Sequence, residues 1–270
     1  MMPPPPLTDR HALIRNRRRA QRDALFLHEE AVLEVQERLM AVNRAFTKPA
    51  IITPFPEIWE NILPGAKIIA DDEVLDLRPE AHDLVIHAMA LHWANDPVGQ
   101  LVQCRRALIP DGLMLAFTLG GQTLHELRTC LAEAEVAVTG GLSPRILPMG
   151  EIRDLGGLVQ RAGLNLPVAD GFTRRASYRD AFHLMADLRA MGEANALTER
   201  PRRPTRRAVL IEAARRYAKT FSEGERICAT FEVICLTGWA PHDSQQKPLR
   251  PGSAIARLED ALKAATKGDG

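Results

Sequence analysis

Glycine is nearly absent from the part of this chain where an α/β fold would use it most. Between Phe46 and Asp83 the only glycine is Gly65. A nucleotide-binding turn after a first strand needs glycines, because its backbone approaches the ligand closely and takes positive φ. Here PAIITPFPEIWE, from Pro49 to Glu60, offers a strand at Ala50 to Ile52 and then Pro54 and Pro56. The stretch from Pro49 to His82 holds a strand, a short helix and a strand. It is too short for two complete crossovers at about 30 residues each, so the sheet is predicted to be shortened at its first crossover.

Other absences narrow the function classes. Lys+Arg 35 against Asp+Glu 34 leaves a net charge of +1, which gives no global attraction to nucleic acid or anionic membrane. The four cysteines, Cys104, Cys130, Cys228 and Cys235, form no C-x-x-C pair, so they read as reduced thiols rather than a zinc site. His82, His87 and His125 lack a partnered carboxylate at ligand spacing, and no metal is expected. No apolar run reaches about 18 residues, so no membrane span is predicted. The N-terminus has no apolar signal centre, and the expected compartment is the cytoplasm, with the mitochondrial matrix as alternative.

What is present centres on Ala66 to Thr118. Ile68 to Ala70 and Leu84 to Met89 are short apolar runs, the mark of parallel strands buried on both faces. Asp96 can cap, and Pro97 can open, a helix whose apolar side is Val98, Leu101, Val102 and Leu108. The strand Leu113 to Thr118 follows. Such crossover units carry ligands at the carboxyl ends of their strands.

Around this centre, the prolines of residues 1 to 6 read as a disordered tail. Arg15, Arg17, Arg18, Arg19 and Arg22 crowd one helical stretch, either contacting an acidic partner or forming a solvated face; charge runs are usually surface. Val32, Val35, Leu39, Val42 and Phe46 predict an amphipathic helix from Glu29 to Phe46. Thr123 and Glu126 have capping-box spacing before a helix carrying Leu127, Leu131, Ala134 and Val138. A helix from Ile152, a strand from Val168 to Ala176, helices at Tyr178 to Gly192 and Ala208 to Phe221, and a last strand in ICATFEVICLTGWA complete the domain. The basic, proline-broken RPRRPTRR links the two later helices. A short helix is predicted at Ala254 to Ala265, and residues 256 to 270 read as a tail.

Leu91-His92-Trp93 with Asn95-Asp96, then Pro110-Asp111-Gly112, Gly120-Gly121-x-Thr123-Leu124-x-Glu126-Leu127-Arg128 and Gly140-Gly141-x-Ser143-Pro144-Arg145 occur in order. Met191-Gly192-Glu193-x-Asn195 and Gly238-Trp239-x-x-His242 follow. This series resembles the class I S-adenosylmethionine methyltransferases, in the branch of the respiratory complex I assembly factor and the bacterial biotin-pathway-like enzymes. The resemblance implies an α/β, Rossmann-like sandwich over residues 7 to 255, mostly parallel, with a helical insertion at 178 to 221. It also implies S-adenosylmethionine as cofactor, held by Asp71 or Asp72 on the adenine side and by Ala88, Met89 and Leu91 near the methionine moiety. His92 and Trp93 are placed for catalysis, with His92 as base; alternatively Trp93 packs on the sheet and His92 is hydrogen-bonded in a loop. Asn95, Gly120, Gly121, Thr123, Glu126, Arg128, Glu135, Ser143 and Arg145 would line the substrate side.

The departure lies at Ile52-Thr53-Pro54-Phe55-Pro56, where the family has its glycine turn. Hydrogen bonds to charged groups contribute about 1.5–3 kcal/mol each, so losing two weakens cofactor binding by about a hundredfold or more. Two readings follow. One is an enzyme that methylates a protein or small molecule, or hydroxylates arginine as the assembly-factor resemblance implies. The other is an inactive methyltransferase fold that escorts a protein such as a complex I subunit.

Overall fold

The computed structural model describes residues 5–246; the helix predicted at Ala254 to Ala265, the tail after it and the first residues of the proline tail lie outside that range. Seven strands, β1 (Pro49–Ile52), β2 (Lys67–Ile69), β3 (His82–Ala88), β4 (Leu108–Leu119), β5 (Asn165–Tyr178), β6 (Ser222–Glu223) and β7 (Arg226–Trp239), form one sheet. Its order is β2-β1-β3-β4-β7-β5, with β6 paired to β7. The first four strands are parallel, and β7 runs antiparallel between β4 and β5. The helices are α1 (Arg10–Arg17), α2 (Phe26–Val42), α3 (Pro56–Trp59), α4 (Pro97–Ala107), α5 (His125–Thr139), α6 (Ile152–Arg161), α7 (Ala181–Ala190) and α8 (Arg207–Thr220).

Alternation along the central strands explains the layers. In β4, Leu113, Leu115 and Phe117 join a core with α2, α3, α5, α7 and α8, while Met114 and Ala116 join a second core with α4 and α6. Leu84 and Ile86 of β3 face the first core and Val85 the second. Successive side chains point to opposite faces, so a strand covered on both sides is apolar throughout. The predicted α/β sandwich is the observed one.

The shortened crossover is also observed. From β1 the chain makes only α3, then returns as β2 directly beside β1, pairing Ala50 with Lys67 and Ile52 with Ile69. α4 begins as expected, with Pro97 in its first turn and the Asp96 carboxylate accepting from the Gly99 amide at 2.8 Å. α2 starts at Phe26 and stops at Asn43, whose φ of 49° turns the chain left-handed before Phe46.

The capping box is a correction. Leu124, at φ 54°, is the residue before α5, and no side chain caps it. Thr123 instead exchanges two 3.1 Å bonds with the backbone of Glu232 on β7. The Glu126 carboxylate, 4% exposed, accepts from the amide and the hydroxyl of Thr230. A local motif is outcompeted because α5 begins against β7, where these side chains fasten helix to sheet.

Glu126→Ala leaves a buried amide and hydroxyl without an acceptor, and urea denaturation is expected to show a loss of about 1–3 kcal/mol. In a double-mutant cycle with Thr230→Val the two changes are expected to couple by about 0.5–3 kcal/mol. Additive losses would mean that the contact does not carry the effect.

Candidate functional site

At the carboxyl ends of β1, β2 and β3 lie Thr53, Asp71 and Met89. The N-terminal helix covers this end: Ala12 and Leu13 of α1 pack with Trp93, Leu147 and Leu197. This packing turns Arg17 of the basic run inward, together with Arg10 that precedes the run. Arg17 Nη1 is 2.7 Å and Arg10 Nη1 is 3.2 Å from the same Asp71 oxygen, and Arg10 Nη2 donates to the Asp71 carbonyl at 2.7 Å. The Arg17 and Asp71 side chains are 6% and 9% exposed. Burial pushes the Asp71 carboxyl up, but the charges of Arg17 and Arg10 outweigh it and hold it below the usual carboxylate range. A solvated face is therefore the wrong reading for Arg17, although Arg15, Arg18 and Arg19 are exposed. Asp72 lies 3.6 Å from Arg10 and faces solvent.

Where a glycine turn would open backbone to a ligand, side chains fill the space. The Thr53 hydroxyl accepts from the Phe55 amide at 3.1 Å, and the buried Phe55 ring meets His28 edge-on at 4.9 Å. Trp59 Nε1 donates to His28 Nδ1 at 3.2 Å. Ala88, Met89 and Leu91 are buried. Met89 takes a φ of 52°, a conformation costly for a side chain of its size, at the turn from β3 into Leu91–Trp93.

The catalytic candidates come together on a residue that spacing does not reveal. Trp93 Nε1 donates to Glu193 Oε2 at 2.6 Å, and His92 Nε2 lies 3.4 Å from the same oxygen. Burial works to raise the Glu193 carboxyl, yet the bonds from His92 and Trp93 and the charge of Arg17 bring it down to about 2. His92 Nδ1 is buried without a partner. Small cavities of about 20 Å³ and 140 Å³ flank Glu193, the second lined mainly by apolar side chains including Leu127, Met149 and Phe231. His87 of β3 is fixed by Gln100 Oε1 at 3.2 Å.

The substrate-side candidates separate into three groups. Asn95 binds the amide and carbonyl of Thr8 and the Glu73 carboxylate, fastening the N-terminal arm. Gly120, Gly121, Thr123, Glu126 and Arg128 occupy the joint between β4, α5 and β7; Arg128 donates to the Gly121 carbonyl at 2.6 Å. A Cβ on Gly120 would stand 2.4 Å from Glu232. Glu135, Ser143 and Arg145 do converge: Glu135 accepts from the Ser143 amide and hydroxyl and from Arg145. They line a groove of about 630 Å³ with the residue 199–206 segment. Among the described residues no cluster of three or more His, Cys, Asp or Glu could hold a metal ion, and no helix is long and apolar enough to cross a membrane.

Residues 53–116 match a family model described as a methyltransferase domain. Parallel strands closed by an antiparallel final pair, together with that match, define a class I methyltransferase-fold protein, a class dependent on S-adenosylmethionine. Within it the chain is related to the arginine-hydroxylase NDUFAF5, mitochondrial, of Danio rerio, 36% identical over 74% of this chain and 63% of that protein. The Homo sapiens counterpart is 37% identical over 76% of this chain and 59% of its own length. A malonyl-[acyl-carrier protein] O-methyltransferase of Methylovorus sp. is 34% identical over 64% and 56%. The chain thus spans less than two thirds of the length of these relatives.

The residues at the strand ends do not fit the class cofactor. Of the two acids expected on the adenine side, Asp71 is held by two guanidinium groups while Asp72 faces solvent, and the buried Phe55 ring fills the turn after β1 against His28. Sequence reasoning missed Arg17, His28 and Glu193 as members of this site. The basic run and the Met191-Gly192-Glu193 motif were visible signals, but neither shows which side chain turns inward.

His28 and His87 are buried, and burial lowers their protonation to about 3 and about 4 from 6.5. Below pH 6.5 the unfolded chain takes up protons that the folded chain refuses until those lower values are reached. Stability is therefore full above about pH 6.5 and lost as the pH falls. Urea unfolding is expected to show a decrease of about 2 kcal/mol between pH 7 and 5.5 for the two histidines together. His28→Gln keeps an acceptor for Trp59 and is expected to remove about half of that pH dependence. Arg17→Met leaves Asp71 buried without its nearer cation and is expected to cost about 3–5 kcal/mol, largely recovered by adding Asp71→Leu.

Proposed function

We propose that this chain is a methyltransferase-fold binding protein that escorts a client in the assembly of respiratory complex I, with its cofactor cleft closed by its own N-terminal helix. The observation carrying this reading is the buried Arg17–Asp71 ion pair at 2.7 Å. S-adenosylmethionine would have to displace Arg17 and Arg10 from Asp71, and each break leaves a buried charge uncompensated. The filled Thr53 to Pro56 turn removes the backbone amides that would offset that cost. The complex I setting comes from the relation to NDUFAF5 and from the sequence resemblance.

A second reading is favoured by the Glu193 cluster, which brings His92 and Trp93 beside a cavity of about 140 Å³. In it the helix withdraws, the cofactor enters, and His92 serves as base toward a methyl acceptor. Arginine hydroxylation, named for the NDUFAF5 relatives, would need a redox partner.

Isothermal titration with S-adenosylmethionine and with S-adenosylhomocysteine separates the two. No heat and no thermal shift up to about 1 mM ligand is expected, since about 4 kcal/mol or less of binding corresponds to that limit. Micromolar binding by the unaltered protein would overturn the closed-cleft reading and transfer the weight to the Glu193 site.

A further inference from the structure

The groove of about 630 Å³ between the end of α5, the residue 140–146 loop and the residue 199–206 linker shares only Arg145 with the cavity beside Glu193. Its walls include Arg145, Arg202, Arg203 and Arg206, against the carboxylates Glu135 and Glu199. Glu135 is already occupied by Arg145 and Ser143, which lower its carboxyl below the usual range. Arg200 and Arg202 are held by Asp9. Among the ion pairs of the described residues, Arg203, Arg206 and Arg207 have no carboxylate partner.

The start of α8 gives a second, independent indication. Arg206 stands at its N-cap with no side-chain hydrogen bond, Arg207 is its first residue, and no acid occupies the first turn. Helix N-termini favour Ser, Thr, Asp or Asn at the cap and negative charge in the first turn, because free amides and the helix dipole are positive there. The adjacent Thr205 hydroxyl is taken by Arg145 at 2.7 Å. A helix start that opposes its own dipole with two arginines, beside a groove already rich in guanidinium groups, is a local cost whose natural compensation is an anion from outside the chain.

The remaining walls say which anion. Leu142 is 67% exposed in the groove, Pro201 and Pro204 flank a bend at Arg202 and Arg203, and no aromatic ring lines it for base stacking. The whole chain carries a net charge of only +1, so the positive charge is local. We infer that this groove docks an acidic segment of a partner protein, a run of Asp and Glu carrying an apolar residue that rests on Leu142. The inference deepens the client-binding reading but uses none of the residues that close the cofactor cleft.

The probe is a fluorescein-labelled ten-residue peptide of Asp and Glu with one central Leu, titrated by anisotropy in about 50 mM and about 300 mM salt. Binding at low salt that weakens at high salt is expected. Arg203→Glu with Arg206→Glu is expected to weaken it by about tenfold or more, while Arg203→Lys with Arg206→Lys stays within about threefold. The charge reversal is expected to raise the melting temperature, since an acid at the α8 cap suits the dipole, so lost binding cannot be assigned to unfolding. No binding at low salt, equal binding by the charge-reversed variant, or tighter binding of an oligo-dT than of the peptide would each overturn the proposal. Absent peptide binding with a silent S-adenosylmethionine titration would remove this surface and leave the closed-cleft reading intact.

Discussion

The pairing of Arg17 with Asp71 is the constraint on which the strand-end architecture turns. Asp71 follows β2 at a point where the sheet buries it, and an unpaired carboxylate there would carry a large desolvation cost. The chain balances it with its own guanidinium groups. Buried ion pairs add little net stability, but they specify geometry, because either partner alone is strongly unfavourable. Here the geometry specified is the seat of α1 across the ends of β1, β2 and β3. Arg17 Nε and Nη2 remain buried without partners, so the pair fixes this seat at some expense in hydrogen bonding.

Much of the fold was legible because the relevant signals are local. Short apolar runs located β2 and β3, Asp96 with Pro97 located the start of α4, and the short span from Pro49 to His82 predicted the missing crossover that the sheet order shows. Boundaries shifted where one residue's backbone decided them, as at Asn43. The capping box failed for a different reason. Thr123 and Glu126 have the right spacing for a helix start, but β7 arrives from over a hundred residues away and offers better-buried partners in Thr230 and Glu232. Long-range competition of this kind leaves no trace in periodicity.

The site was legible by type and obscured in its pairing. His92 and Trp93 stood out at a strand end, and the two aspartates after β2 did too. Their partners, Glu193 and Arg17, lie 100 and 54 residues away along the chain, in opposite directions. A basic run reads as solvent-facing because most of its members are; only the helical phase against Trp93 and Leu147 selects Arg17 for burial. Asn95, a polar residue in the loop after the catalytic candidates that reads as a substrate contact, bonds Thr8 of the N-terminal arm and the Glu73 carboxylate.

That arm couples the two ends of the molecule. Its backbone is held by the residue 190–198 segment: the Asp9 amide donates to Ala196, the Thr198 amide to Leu7, and the Gln21 amide to Ala190, while Asn16 donates to the Ala194 carbonyl. Asp9 then caps α1 through the Ala12 amide and simultaneously holds Arg200 and Arg202 at the border of the basic groove. Asp9 thus ties the start of α1 to the border of the groove. The segment that carries Glu193 to His92 and Trp93 runs on into the linker of the groove, and the N-terminal arm contacts both.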